Sequence, residues 1–111
     1  MQITRGDTKR YRFKRYDMNG NVITNVADSV HFTVKKTPCC KVVLQKSLGK
    51  GITYDEETNY YYIDINPEDT ENLDFDTYGF DIEIIAGDIV TTVCVGKIVI
   101  GVEYTNRRDR K

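Results

Sequence analysis

Strict alternation of apolar and polar residues constrains this chain more than any other feature. In Ser29-Val30-His31-Phe32-Thr33-Val34-Lys35 every second side chain is apolar, and Tyr78-Gly79-Phe80-Asp81-Ile82-Glu83-Ile84 repeats the pattern. Successive side chains of a strand point to opposite faces, so a period of two dictates sheet buried on one side. A helix would need apolar residues three and four apart. Arg10-Tyr11-Arg12-Phe13-Lys14 alternates likewise, with Tyr11 and Phe13 facing inward and the cations outward. Tyr60 to Ile65 sets Tyr61, Ile63 and Ile65 toward the core. Lys41 to Lys46, Ile52 to Tyr54, Ile89 to Val95 and Lys97 to Tyr104 supply the remaining strands.

Turn chemistry separates these segments. Asn19-Gly20 supplies the positive φ that a tight turn needs, Gly49 and Gly51 bracket a loop, and Asp55 to Thr58 and Ala86-Gly87-Asp88 reverse the chain. Asn66-Pro67-Glu68-Asp69 is the one helix-start signal: a capping side chain, proline at the first position and acids beside unpaired N–H groups. It predicts a single helical turn near residues 67–73. Short strands with turns about every 8 to 12 residues favour a two-sheet sandwich over a barrel. The 111 residues suffice for one core. The expectation is a single β-sandwich domain over residues 1–105 and a polar, frayed tail over residues 106–111.

A turn of helix leading through Leu73 to Asp76-Thr77-Tyr78, just before a strong strand, resembles the tyrosine corner of immunoglobulin-like domains, in which the hydroxyl bonds to upstream backbone. The fold class expected is therefore all-β, an immunoglobulin-like two-sheet sandwich of seven to nine antiparallel strands. With no Trp, and with no evident partner for Cys94, the likeness is one of architecture alone.

Composition and charge narrow the function. Forty per cent hydrophobic and 30% charged residues describe a folded globular chain. No apolar run approaches the roughly 20 residues that cross a bilayer. The N-terminus lacks a signal-peptide core, so cytoplasmic synthesis and no membrane partner are expected. Three cysteines, two of them adjacent (Cys39 and Cys40), make a poor disulfide framework and predict reduced thiols. His31, the only histidine, sits mid-strand on the polar face, away from any nucleophile. No phosphate-binding glycine loop occurs, and Asp74, Asp76 and Gly79 match only part of a calcium loop that ends in Ile85 rather than Glu. No enzyme, no cofactor and no metal site is the reading. Arg5-Gly6-Asp7 spells an integrin-type tripeptide, a match that three common residues reach by chance.

Net charge is −1, but residues 1–50 hold 11 Lys or Arg against 3 Asp, giving +8, and residues 51–111 hold 5 against 14, giving −9. Two readings follow: basic and acidic strands pair across the sheet, or the domain is a dipole that favours contacts between copies. The basic strand Arg10 to Arg15 hides its aromatics on the opposite face from its cations, and the sequence pI is near 5.8. Both oppose nucleic acid as a partner.

Ile3-Thr4-Arg5-Gly6-Asp7-Thr8, Pro67-Glu68-Asp69-Thr70 with Leu73 and Tyr78-Gly79-Phe80-Asp81-Ile82, and Thr91-Thr92 through Gly96-Lys97-Ile98 resemble short prophage proteins of Gram-positive bacteria. These are similar to the immunoglobulin-like N-terminal domain of phage baseplate upper proteins. The resemblance implies a structural component of a virion tail or baseplate that acts through protein contacts with itself or with other tail proteins. Such domains often place Gly shortly before the strand Tyr; this chain has Asp76, which predicts a looser corner. The surfaces expected to make contact are Arg10, Arg12 and Lys14 on one side and Glu68, Asp69, Glu71 and Asp74 on the other, through a charge-driven contact that salt weakens. The alternative is a carbohydrate-binding or adhesion module using Tyr54, Tyr60 and Tyr62 as a stacking patch. The thiol and metal readings predict that neither a chelator nor a reductant shifts the melting temperature appreciably; a drop of several degrees with either contradicts them.

Overall fold

The computed structural model describes residues 2–37 and 41–101. Eight strands are present: β1 (Gln2–Thr4), β2 (Lys9–Phe13), β3 (Ser29–Lys35), β4 (Val42–Leu48), β5 (Gly51–Tyr54), β6 (Tyr61–Ile65), β7 (Thr77–Ala86) and β8 (Ile89–Gly101). A single helical turn, α1 (Pro67–Thr70), links β6 to β7. No helix of the described residues is long and apolar enough to cross a membrane. Cys39, Cys40 and the tail 106–111 lie outside the described residues.

The strands follow one order, β1-β8-β7-β3-β4-β5-β6-β2, which nearly closes into a barrel. Its weakest link is the β4–β5 corner, where only Ser47 with Gly51 and Leu48 with Ile52 are in register. The corner divides the order into a five-stranded sheet (β1-β8-β7-β3-β4) and a three-stranded sheet (β5-β6-β2). In immunoglobulin lettering β2, β6 and β5 take the places of B, E and D, and β4, β3, β7 and β8 those of C′, C, F and G. The fold is thus all-β and sandwich-like. It departs from the expected antiparallel set at two pairings, β1 with β8 and β4 with β5, which are parallel.

Alternate residues meet between the sheets. Ile3, Val30, Phe32, Val34, Tyr78, Phe80, Ile82, Ile84, Ile98 and Ile100 pack against Ile52, Tyr61, Ile63 and Ile65 in one buried cluster. Each such side chain contributes about 1.5 to 3 kcal/mol on leaving water. Tyr61 stacks on Phe13 at 5.0 Å, and its hydroxyl accepts the Ala27 N–H at 3.1 Å, so the largest buried ring keeps a polar partner. Gly96 does not end a strand as the sequence suggested: β8 runs through it. Gly96 lies opposite Phe80, and a Cβ there would fall 2.8 Å from the Phe80 ring, so the glycine makes room for the core aromatic.

The helical turn fastens several elements. The Asp69 carboxylate accepts the Asn66 N–H at 2.7 Å, closing the N-terminus of α1, and pairs with Lys46 of β4 at 2.7 Å. The stem of Lys46 crosses Gly51, where a Cβ would collide with it and where φ is +95°. Buried Thr70 accepts the Gly6 N–H through its hydroxyl at 2.9 Å, tying α1 to the β1–β2 loop.

The Tyr78 hydroxyl donates to the Asp74 carbonyl at 2.9 Å, the geometry of a tyrosine corner. Burial, more than any neighbouring charge, pushes its ionisation above the usual tyrosine range. The expected loosening at Asp76 does not occur. Among the described non-glycine residues only Asn59 has positive φ, so Asp76 never needs the left-handed conformation. Its carbonyl accepts the Ile100 N–H at 2.9 Å, and its carboxylate accepts the Thr77 N–H at 2.7 Å. Replacing Tyr78 by Phe removes one bond from a 3%-exposed ring and should cost about 1 to 2 kcal/mol in denaturant unfolding, with Tyr78→Ala costing more by adding a cavity. An unchanged midpoint for Tyr78→Phe contradicts the role given to the hydroxyl.

Candidate functional site

The outer face of the β2–β6 pair brings together the basic residues Arg10, Arg12 and Lys14 and two of the tyrosines singled out by sequence, Tyr60 and Tyr62. Arg10 stands opposite Asp64 and Arg12 opposite Tyr62, so the cations of β2 meet the acid and aromatics that alternate outward on β6. Arg10 pairs with Asp64 through Nε at 2.6 Å and a second nitrogen at 3.3 Å, and lies 5.0 Å over the Tyr62 ring. The hydrogen bond to Asp64 is the main cause raising the Arg10 pKa further. Arg12 and Lys14 both sit over Tyr60, at 4.3 and 4.4 Å. Tyr60 and Tyr62 are themselves 6.0 Å apart. A ladder of cations on aromatic faces results, held by attraction to the ring quadrupoles. Sequence reasoning correctly turned Tyr11 and Phe13 inward but missed that the neighbouring strand supplies rings to the same cations.

Tyr54 does not belong to this surface. It packs inward, 4.7 Å from Tyr61, and its hydroxyl contacts the Thr24 carbonyl at 2.9 Å and Asn59 Oδ1 at 2.6 Å. The expected three-tyrosine patch is therefore a pair, Tyr60 and Tyr62, already covered by Arg10, Arg12 and Lys14.

The two charged halves of the sequence are interleaved. Arg10–Asp64, Lys36–Asp76 at 3.1 Å, Lys36–Asp74 at 4.0 Å and Lys46–Asp69 each join a cation of the first half to an acid of the second. These contacts bring cations and acids of the two halves together, Arg10–Asp64 directly across neighbouring strands. Of the acidic run, Asp69 is committed to Lys46 and to the α1 cap, whereas Glu68, Glu71 and Asp74 are exposed. Leu73 packs against the core beneath them. Gly6 is buried, and Arg5 lies 4.0 Å over Phe75, so the Arg5-Gly6-Asp7 stretch serves the β1–β2 turn. Among the described residues no three His, Cys, Asp or Glu side chains converge as metal ligands.

The surface that sequence reasoning did not single out is β8. All seven residues from Ile89 to Val95 are exposed, with Val95 at 75%, Ile89 at 68%, Val90 at 60% and Val93 at 47%. None of the eight residues from Ile89 to Gly96 carries a charge. Beneath the strand a cleft of about 410 Å³, lined in part by Phe13, Tyr16, Ile23, Ile84, Ile89 and Val93, opens between the sheets. The signal was present in the sequence: Ile89 to Val95 lacks the alternation of its neighbours. Such a run ordinarily marks a strand buried on both faces, and here it is bare.

Compared with known proteins, the sequence matches no family model and no curated protein.

Several turn carboxylates are held below the usual aspartate range. Backbone N–H donors are the main cause: Asn21 and Asn19 for Asp17, Glu57 with the Thr58 hydroxyl for Asp55, and Thr77 followed by Lys36 for Asp76. A carboxyl whose folded pKa is depressed stabilises the fold above its unfolded value, near about 3.9, and loses that contribution as pH falls through the folded value. The unfolding midpoint should therefore hold steady from neutrality to about pH 5 and decline below about pH 4. Asp76→Asn should show a shallower acid decline than the parent; parallel curves contradict this assignment.

Proposed function

We propose that this chain is a non-enzymatic assembly module of a phage or prophage tail or baseplate, acting through protein–protein contacts. The observation that supports contact-making most directly is β8, a strand with exposed Ile89, Val90, Val93 and Val95 in the larger sheet. Contiguous exposed apolar surface is costly in water and marks surfaces that a partner covers. The tyrosine corner and the α1 contacts fasten the segment between β6 and β7, and the Asp76 carbonyl holds the Ile100 N–H at the C-terminal end of that strand. The tail assignment itself rests on the resemblance of the opening, middle and closing segments to phage baseplate domains.

The carbohydrate alternative draws on Tyr60 and Tyr62. A sugar ring would have to displace Arg10, Arg12 and Lys14 from the aromatic faces it needs, which ranks this reading second.

Mass spectrometry of purified particles induced from a lysogen carrying the gene, together with a glycan array on the isolated chain, tests the choice. The chain is expected in the particles and unbound on the array. Loss from extensively purified particles, or saturable glycan binding abolished by Tyr60→Ala, overturns the assembly reading.

A further inference from the structure

The two edges of β8 are treated very differently. Toward β7 the strand is paired from Ile89 to Val99. Toward β1 it is paired only at Val99, Ile100 and Gly101, because β1 is three residues long. From Val90 to Ile98 that second edge meets no strand among the described residues. Backbone N–H and C=O groups on a bare edge form a template for another strand, and proteins ordinarily guard such edges with lysine, proline or distortion.

Little guards this one. Ile89-Val90-Thr91-Thr92-Val93-Cys94-Val95-Gly96 contains neither charge nor proline, and six of the eight residues are β-branched. The single distortion is a bulge: Ile82 faces Cys94 and Glu83 faces Thr92, leaving Val93 as the extra residue. The bulge bends the strand and leaves Thr92 and Cys94 on either side in regular pairing with β7. All seven residues from Ile89 to Val95 are exposed, which keeps the edge accessible.

We propose that two copies of this chain associate through antiparallel pairing of their β8 edges across a two-fold axis at Cys94, joining the two larger sheets into one. The inference rests on reading the chain as an assembly module and names the surface and the partner. A second copy is the occupant because the open stretch is complementary to itself. Cys94 is the midpoint of Val90 to Ile98, so a two-fold there uses the whole open edge and stops short of Val99, which β1 already holds. In that register Val90 faces Ile98, Val93 faces Val95, and Lys97 faces Thr91 rather than another cation. Isologous contacts require such self-complementarity, and a charged edge would oppose it. The contact is uncharged at its centre, so salt does not weaken it. A contact between Arg12 and Lys14 of one copy and Glu68, Glu71 and Asp74 of another would weaken as salt rises.

Cys94 provides the probe. Directly opposed residues of an antiparallel pair have Cα atoms about 4.5 to 5.5 Å apart, within the reach of a disulfide. With Cys39→Ser and Cys40→Ser in place, sedimentation velocity from micromolar to millimolar protein should show a monomer–dimer equilibrium that is unchanged or strengthened by salt. Mild oxidation should give a covalent dimer through Cys94. Val95→Lys should weaken dimerisation at least about tenfold and suppress the cross-link while leaving the circular dichroism intact. Should that variant fail to fold, the concentration series and cross-linking of the parent decide the question. A monomer at every concentration, a cross-link that survives Val95→Lys in a folded protein, or a dimer dissolved by salt or by Arg12→Glu with Lys14→Glu overturns the inference. A monomer that is nonetheless found in purified particles overturns the β8 pairing alone; absence from particles overturns the assembly reading.

Discussion

One shared apolar layer holds the molecule together, and the strands that enclose it differ greatly in length. β3, β6 and β7 place alternate side chains into the layer along their whole paired lengths, and Phe32, Tyr61, Ile63 and Ile65 are almost completely removed from water. β8 spans thirteen residues, but β1 beside it spans three and β2 on the other sheet spans five. The core can cover only what has a strand on both sides. The C-terminal end of β8, at Ile98 and Ile100, is therefore buried, and its N-terminal half is bare.

The polar interactions respond to the same arrangement. Opposite charges of the two sequence halves meet locally: Arg10 with Asp64 across neighbouring strands, Lys46 of β4 with Asp69 of α1, and Lys36 after β3 with Asp74 and Asp76 before β7. The exposed pairs of Arg10 and Lys36 contribute little to stability, whereas Lys46–Asp69 is largely shielded from water. Two surfaces stand out: the uncharged stretch Ile89 to Gly96 of β8, and the pair Tyr60 and Tyr62 covered by cations.

Rigidity comes from small, specific fastenings. Thr70 to Gly6, Asp69 to Lys46 and to the Asn66 N–H, and Tyr78 to Asp74 converge on the segment between β6 and β7. That segment crosses from one sheet to the other, so fixing it fixes the sheets against each other. Glycines serve the same close packing. Gly51 lets the Lys46 stem lie across the β4–β5 corner, and Gly96 admits the Phe80 ring.

The sequence by itself determined the strands that alternate, because a period of two admits only one face to the core. β1, three residues long, and the continuity of β8 through Gly96 carry no such period and came only from the structure. Ser29–Lys35 was bounded to the residue, and Tyr61, Ile63, Ile65, Tyr78, Phe80, Ile82 and Ile84 were assigned inward before any neighbour was known. It also determined the helical turn and the tyrosine corner, whose partners lie a few residues apart and whose geometry is local. Only the tertiary structure decided which strands become neighbours. Periodicity carries no information about pairing, so the cations of β2 could not be placed over Tyr60 and Tyr62, nor Tyr54 be turned away from them. Nor could the bare edge of β8 be foreseen: an unalternating apolar run reads the same whether both faces are covered or neither is. Its exposure follows from how far β1 and β2 reach beside it in space.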